Sequence, residues 1–128
     1  MATEFGASDQ TLLEYPISFR DGLFDGQVVL VSGGGSGLGK AMATLFGRLG
    51  ATVAICGRDA EKLAAAKEFL EGAGIACWSR AITIRDPAAV GDLFGELTAD
   101  LGRLDTVVNN AGGQFPQAAI DFLSLIHI

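Results

Sequence analysis

The sequence predicts an α/β fold built on a doubly wound parallel sheet. Three observations predict it. Four short aliphatic runs of strand length alternate with longer helical stretches. Their connections are short, so right-handed crossovers carry helices to both faces of one sheet. The first aliphatic run passes directly into a glycine-rich turn, Ser32-Gly33-Gly34-Gly35-Ser36-Gly37-Leu38-Gly39, which opens a helix.

Residues 1–24 read as an N-terminal extension without clear periodicity, from which Tyr15-Pro16-Ile17 and Phe24 are expected to pack on the body. Asp25-Gly26 then launches a strand from Gln27 to Val31, whose aliphatic run predicts burial on both faces. The helix from Gly37 carries Leu38, Ala41, Met42, Leu45, Phe46 and Leu49 on one face, and Gly50 ends it. Thr52 to Cys56 is the second strand. After the turn Gly57-Arg58-Asp59, Asp59 is the N-cap of a helix from Ala60 to Leu70, stopped by Gly72 and Gly74. Ile75 to Ser79 is the third strand. Thr83-Ile84-Arg85-Asp86-Pro87 turns into a helix reaching Leu101, with Asp86 as N-cap and Pro87 at its first position. Leu104 to Val108 is the fourth strand, followed by Asn109-Asn110-Ala111-Gly112.

Composition narrows the function. The 128 residues suffice for one small domain, and 49% hydrophobic content excludes a disordered chain. No run approaches the roughly 20 apolar residues of a membrane span, and Met1-Ala2-Thr3-Glu4-Phe5 lacks the basic and apolar parts of a signal peptide. A net charge of −6, with 9 basic against 15 acidic residues and no basic patch, argues against nucleic acid as a partner. Cys56 and Cys77 lack C-x-x-C spacing and read as reduced, core-filling thiols of a cytoplasmic protein. With a single histidine, His127, no metal site is expected.

Three glycine spacings compete at the first turn. Gly34, Gly39 and Lys40 fit a P-loop, G-x-x-x-x-G-K-[ST], until Ala41 stands where a hydroxyl would ligate Mg²⁺. Strict G-x-G-x-x-G fails at Lys40 when begun from Gly35 and Gly37, and at Leu38 when begun from Gly33 and Gly35. [ST]-G-x-x-x-G-x-G fits, on Ser32, Gly33, Gly37 and Gly39. In that pattern Gly33 allows the turn, Gly37 lets backbone approach a pyrophosphate, and Gly39 lets the helix pack closely. A helix N-terminus placed after such a turn offers free N–H groups and a positive dipole end to phosphate. The glycine loop, Gly57-Arg58, Thr83-Ile84 and Asn109-Asn110 all fall at strand carboxyl ends, where sheets of this kind bind ligands.

The glycine loop together with Asn109-Asn110-Ala111-Gly112 resembles the classical short-chain dehydrogenases/reductases, over about residues 25–122. Phe19-Arg20-Asp21-Gly22-Leu23-Phe24 and Gly112-Gly113-Gln114-Phe115-Pro116 look like the branch of enoyl-CoA reductases and terpenoid-alcohol dehydrogenases. The resemblance implies a partial Rossmann-type doubly wound parallel sheet, truncated after the fourth strand. It implies hydride transfer between a nicotinamide cofactor and a small carbonyl, alcohol or enoyl-CoA substrate, in a homo-oligomeric parent enzyme. Cofactor-binding residues would be Ser32, Gly33, Gly35, Ser36, Gly37, Leu38 and Gly39 at the pyrophosphate and adenosine ribose. Thr83 and Ile84 would sit beside adenine, and Asn110, Ala111 and Gly112 at the nicotinamide side. Arg58 stands where NAD-binding relatives commonly carry an acid; a guanidinium suits a 2′-phosphate, so NADP(H) is favoured over NAD(H).

The family's catalytic Ser and Y-x-x-x-K do not appear. Tyr15, the one tyrosine, is followed four residues later by Phe19. No catalytic residue is therefore assigned, and the chain by itself is expected to be inactive. Leu123-Ser124-Leu125-Ile126-His127-Ile128 departs from the family pattern. It back-translates as CTG TCT CTT ATA CAC ATC, the mosaic-end adaptor of transposase-made libraries. Residues 123–128 are thus expected to be adaptor-derived, leaving 1–24 as extension and 25–122 as the dinucleotide-binding half. A non-catalytic dinucleotide-binding module and a P-loop phosphohydrolase stand as the alternatives.

Overall fold

The computed structural model describes residues 6–112; the expectations for 113–128, including the adaptor-derived tail, lie outside the described residues. A short helix α1 (Asp9–Glu14) precedes β1 (Val28–Ser32), α2 (Gly37–Arg48), β2 (Thr52–Gly57), α3 (Ala60–Gly72), β3 (Cys77–Ala81), α4 (Pro87–Leu101) and β4 (Thr106–Val108). The four strands form one sheet in the order β3-β2-β1-β4, every pair parallel. This is the predicted partial Rossmann-type α/β architecture. The chain steps outward from β1 to β3 and then returns across β1 to place β4. The switch point, where such sheets bind ligands, therefore lies between β1 and β4.

Strand alternation divides the core in two. Val29, Val31, Val53 and Ile55 face α2 and α3, where Ala43, Leu63, Ala66 and Leu70 meet them. Val28, Leu30, Ala54 and Cys56 face α4 and its Leu93 and Leu97. All five residues of β1 are buried, as its aliphatic run predicts for a central parallel strand. Burying Leu70 or Leu97 completely stabilises the fold by roughly 1.5–3 kcal/mol each. Between β3 and α4, Trp78 Nε1 donates to Asp100 Oδ2 at 2.8 Å, and Arg80 pairs with Glu96 at 2.6 Å. No helix among the described residues is long and apolar enough to cross a membrane.

Local chemistry set several helix ends where expected. Asp59 Oδ1 accepts from the N–H groups of Glu61 and Lys62, and Asp86 Oδ1 from those of Ala88 and Ala89. Other boundaries moved. β1 begins and ends one residue later than predicted, and α3 runs through Gly72 before ending at Ala73. β3 starts at Cys77 rather than Ile75. Ile75 N–H still donates to Leu70 C=O at the end of α3, and pairing with β2 begins at Val53↔Cys77. β4 likewise starts at Thr106 rather than Leu104.

The N-terminal segment, in which the sequence shows no clear periodicity, carries one short helix. α1 is only six residues long, too short to show periodicity. Ser8 caps it through Thr11 N–H, and it is held against α2 by Asp9–Lys40 at 2.7 Å and by Arg48 donating to Leu12 C=O at 3.1 Å. Phe24 packs edge-on against Phe46 at 4.9 Å, as expected, whereas Tyr15 is 69% exposed.

β4 pairs with β1 over only three residues, and a carboxylate reinforces its start. Asp105 N–H donates to Val28 C=O, while Asp105 Oδ2 accepts from Val28 N–H at 2.8 Å and from Arg103 Nε at 2.9 Å. The Arg103 hydrogen bond, followed by the Val28 N–H, holds the Asp105 carboxyl below its ordinary pKa. A folded-state pKa below the unfolded one gives stability that is present above the unfolded value and lost as pH falls through the folded one. The stability advantage of the natural chain over Asp105→Asn is therefore expected to be full above about pH 5 and to shrink as pH falls below ~4. Urea unfolding at pH 7, 5 and 3 checks it; an unchanged gap at pH 3 would contradict it.

Candidate functional site

The carboxyl ends of all four strands open onto one cleft of about 1140 Å³. Gly33, Gly35 and Ser36 line it after β1, Gly57 and Arg58 after β2, Ile82, Thr83, Ile84 and Arg85 after β3, and Asn110, Ala111 and Gly112 after β4. The first turn of α3 adds Asp59, Glu61 and Lys62. Of the thirteen residues expected at the site, nine are brought together here. Ser32, Gly37, Leu38 and Gly39 are not among the lining residues.

Ser32 is buried at the end of β1 and its hydroxyl is fully used. It donates to Val108 C=O at 3.2 Å and accepts from the N–H groups of Asn110 and Ala111, each at 3.0 Å. Asn110 answers by donating Nδ2–H to Ser32 C=O at 3.2 Å. These bonds form a brace that fastens the Asn110 segment to the glycine loop. Gly39 lies beneath the same brace: a Cβ there would collide with Gly33 C=O and approach Asn110 Nδ2 to 2.6 Å. Its requirement is therefore close contact with the loop itself rather than with the sheet. Leu38 is 70% exposed on the first turn of α2.

The loop leaves its backbone available. Gly33 turns the chain at φ +70° and Gly37 at φ +55°, a region side chains rarely adopt. Ser36 precedes α2 in extended geometry and makes no side-chain cap, whereas Ser8, Asp59 and Asp86 cap the other three helices. The α2 N-terminus therefore keeps unsatisfied first-turn N–H groups and the positive end of its dipole beside a small hydroxyl residue. That combination fits a phosphate or pyrophosphate. A P-loop does not fit. Lys40 turns its ammonium to Asp9 and over the Phe69 ring at 4.5 Å, and it does not line the cleft.

Electrostatics favour an anion. Arg58, Lys62 and Arg85 line the cleft and take part in none of the ion pairs among the described residues. Two carboxylates, Asp59 and Glu61, oppose three cations, in a chain whose net charge is −6. Asp59 is already committed to the N-terminus of α3. Lys62 and Arg85 escaped the sequence reading, although Arg85 directly follows Ile84 at the same strand end. Neither cysteine is poised for chemistry. Burial raises the Cys56 thiol above its ordinary pKa and pushes Cys77 up to about 11, so both remain protonated at neutral pH. No group of three or more potential metal ligands occurs among the described residues.

The chain is similar to known proteins over most of its length. Residues 27–125 match the family model for short chain dehydrogenases. A probable 2,4-dienoyl-CoA reductase of Caenorhabditis elegans is 46% identical over 101 residues, covering 77% of this chain and 33% of that protein. The citronellol catabolism dehydrogenase of Pseudomonas aeruginosa has a similar structure, with TM-score 0.73 and 43% identity over 83% of this chain and 44% of that one. A metagenomic short-chain oxidoreductase in complex with NADP gives TM-score 0.68 and 38% identity over 70% of this chain and 41% of that one. The chain thus spans about a third of the length of the curated relative it matches.

The packing beneath the brace makes one substitution diagnostic. Gly39→Ala is expected to lower stability by about 1–3 kcal/mol, because the added methyl meets backbone that cannot yield without opening the loop. Thermal unfolding checks this, with Gly91→Ala on α4, where the added methyl meets open space, expected to cost nothing.

Proposed function

We propose that this chain, which belongs to the short chain dehydrogenase family, is the dinucleotide-binding part of an NADP(H)-dependent oxidoreductase. The observation that carries the proposal is the sequence of groups along the cleft: an uncapped helix N-terminus after β1, a cation after β2, and the braced Asn110 segment after β4. In this reading Gly33, Gly35, Ser36 and the first turn of α2 hold the pyrophosphate, and Asn110, Ala111 and Gly112 border the nicotinamide half. Arg58 holds the 2′-phosphate, matching it by charge and by the fork of its guanidinium. Asp59, which would otherwise compete for ribose hydroxyls, commits Oδ1 to its capping bonds. The cofactor, when bound, supplies the hydride chemistry.

The substrate is a small molecule bearing a carbonyl, an alcohol or an enoyl thioester. The likeness to a dienoyl-CoA reductase supports the enoyl thioester, and the likeness to a citronellol-pathway dehydrogenase supports the alcohol. The parent enzyme is a homo-oligomer. Within this chain the one tyrosine, Tyr15, is exposed on the N-terminal segment, with Phe19 in the place of the partner lysine. That observation favours a second reading of the chain by itself, as a module that binds dinucleotide without turning substrate over.

Isothermal titration tests the proposal. The 128-residue chain is expected to bind NADP⁺ about tenfold or more tightly than NAD⁺, and Arg58→Ala to bring the two affinities together. With either cofactor it is expected to oxidise no alcohol and reduce no enoyl thioester. Equal affinities in the natural chain would overturn the NADP(H) preference.

A further inference from the structure

We infer that the β3 end of the cleft reads the purine base through a hydroxyl that can either donate or accept, so that a hypoxanthine dinucleotide is held as well as an adenine one. The inference rests on the dinucleotide reading above. Strands lie in the order β3-β2-β1-β4, and neighbouring strands are about 4.8 Å apart. The residues after β3 therefore lie roughly 10 Å from the phosphate cradle on β1, with Arg58 between them. A dinucleotide whose pyrophosphate sits on α2 and whose ribose phosphate meets Arg58 brings its base to Thr83 and Ile84.

What those residues offer is decided by their own hydrogen bonds. Ile84 is 48% exposed and presents an apolar surface. Arg85 N–H donates to Thr83 Oγ1 at 3.3 Å, which occupies one lone pair and leaves the other, with the hydroxyl hydrogen, free to act. No carboxylate competes there. Asp86, three residues on, spends its oxygen on the N–H groups of Ala88 and Ala89, at 3.0 and 3.3 Å, and does not line the cleft. Asp59 caps α3, and Glu61 stands on the first turn of that helix, on the β2 side.

Adenine presents an amino donor beside a ring-nitrogen acceptor. Hypoxanthine presents a carbonyl acceptor beside a ring N–H donor. A carboxylate only accepts and so would distinguish the two. A hydroxyl turns to accept from the amino group of the one base or to donate to the carbonyl of the other, so the large rejection factors of a one-way hydrogen-bonding site do not arise.

Isothermal titration of the 128-residue chain with NADP⁺ and with nicotinamide hypoxanthine dinucleotide phosphate tests this. The two dissociation constants are expected to agree within about threefold. Thr83→Asp, which supplies an acceptor only, is expected to shift the ratio about tenfold toward NADP⁺. Thr83→Val, which removes the hydroxyl while keeping its shape, is expected to weaken both alike. A natural chain that prefers NADP⁺ by tenfold or more, or a Thr83→Asp ratio equal to the natural one, would overturn the inference and leave the dinucleotide reading standing. If neither dinucleotide binds, both the inference and the dinucleotide reading fall.

Discussion

The hydroxyl of Ser32 is the contact on which the rest of the site depends. β4 contributes only three paired residues to the sheet, and the ladder alone specifies its place beside β1 weakly. Ser32 fixes that place at the carboxyl end by joining Val108 C=O, Asn110 N–H and Ala111 N–H, groups 76 to 79 residues away. Asp105 does the same at the amino end through Val28. Closing so long a loop costs entropy, which the hydrogen bonds of these partly buried groups help to offset in this register. Loss of the register would separate the Asn110 segment from the glycine loop, and with it the two halves of the cleft.

From that brace the remaining geometry follows by close packing. Asn110 Nδ2 reaches Ser32 C=O, which leaves room at Gly33 and Gly39 for hydrogen but not for a side chain. Those glycines let α2 begin beneath the loop, and Ser36 leaves its first turn uncapped. Charge is then arranged around the exposed backbone. Lys40, the cation nearest the helix start, is drawn away to Asp9 and Phe69, while Arg58 and Arg85 remain on the cleft. The stretch of sequence that resembles a P-loop therefore has no lysine facing the cleft, because Lys40 is used to dock α1.

Much of this was legible in the sequence, for local reasons. Asp59, Asp86 and Pro87 announce helix starts by chemistry that involves only the next three residues. The aliphatic run of β1 announces a strand buried on both faces. What could not be read was non-local. The start of β3 is set by where β2 offers partners, and α1 exists because α2 provides Lys40 and Arg48 to hold it. Ser32 looks like a ligand residue from its place in the motif; that its hydroxyl is consumed by Val108, Asn110 and Ala111 depends on a strand much later in the chain. Lys62 and Arg85 carry no signal of their own, since a charged residue at a helix start or in a loop is ordinarily a solvated one.

Amide hydrogen exchange in Ser32→Ala tests the central claim most directly. The account predicts that Asn110 and Ala111 exchange slowly in the natural chain. In the variant they would lose that protection while Val29 and Val53, in the middle of the sheet, keep theirs. Equal protection of Asn110 and Ala111 in both proteins would show that something other than the Ser32 hydroxyl holds the two halves of the cleft together.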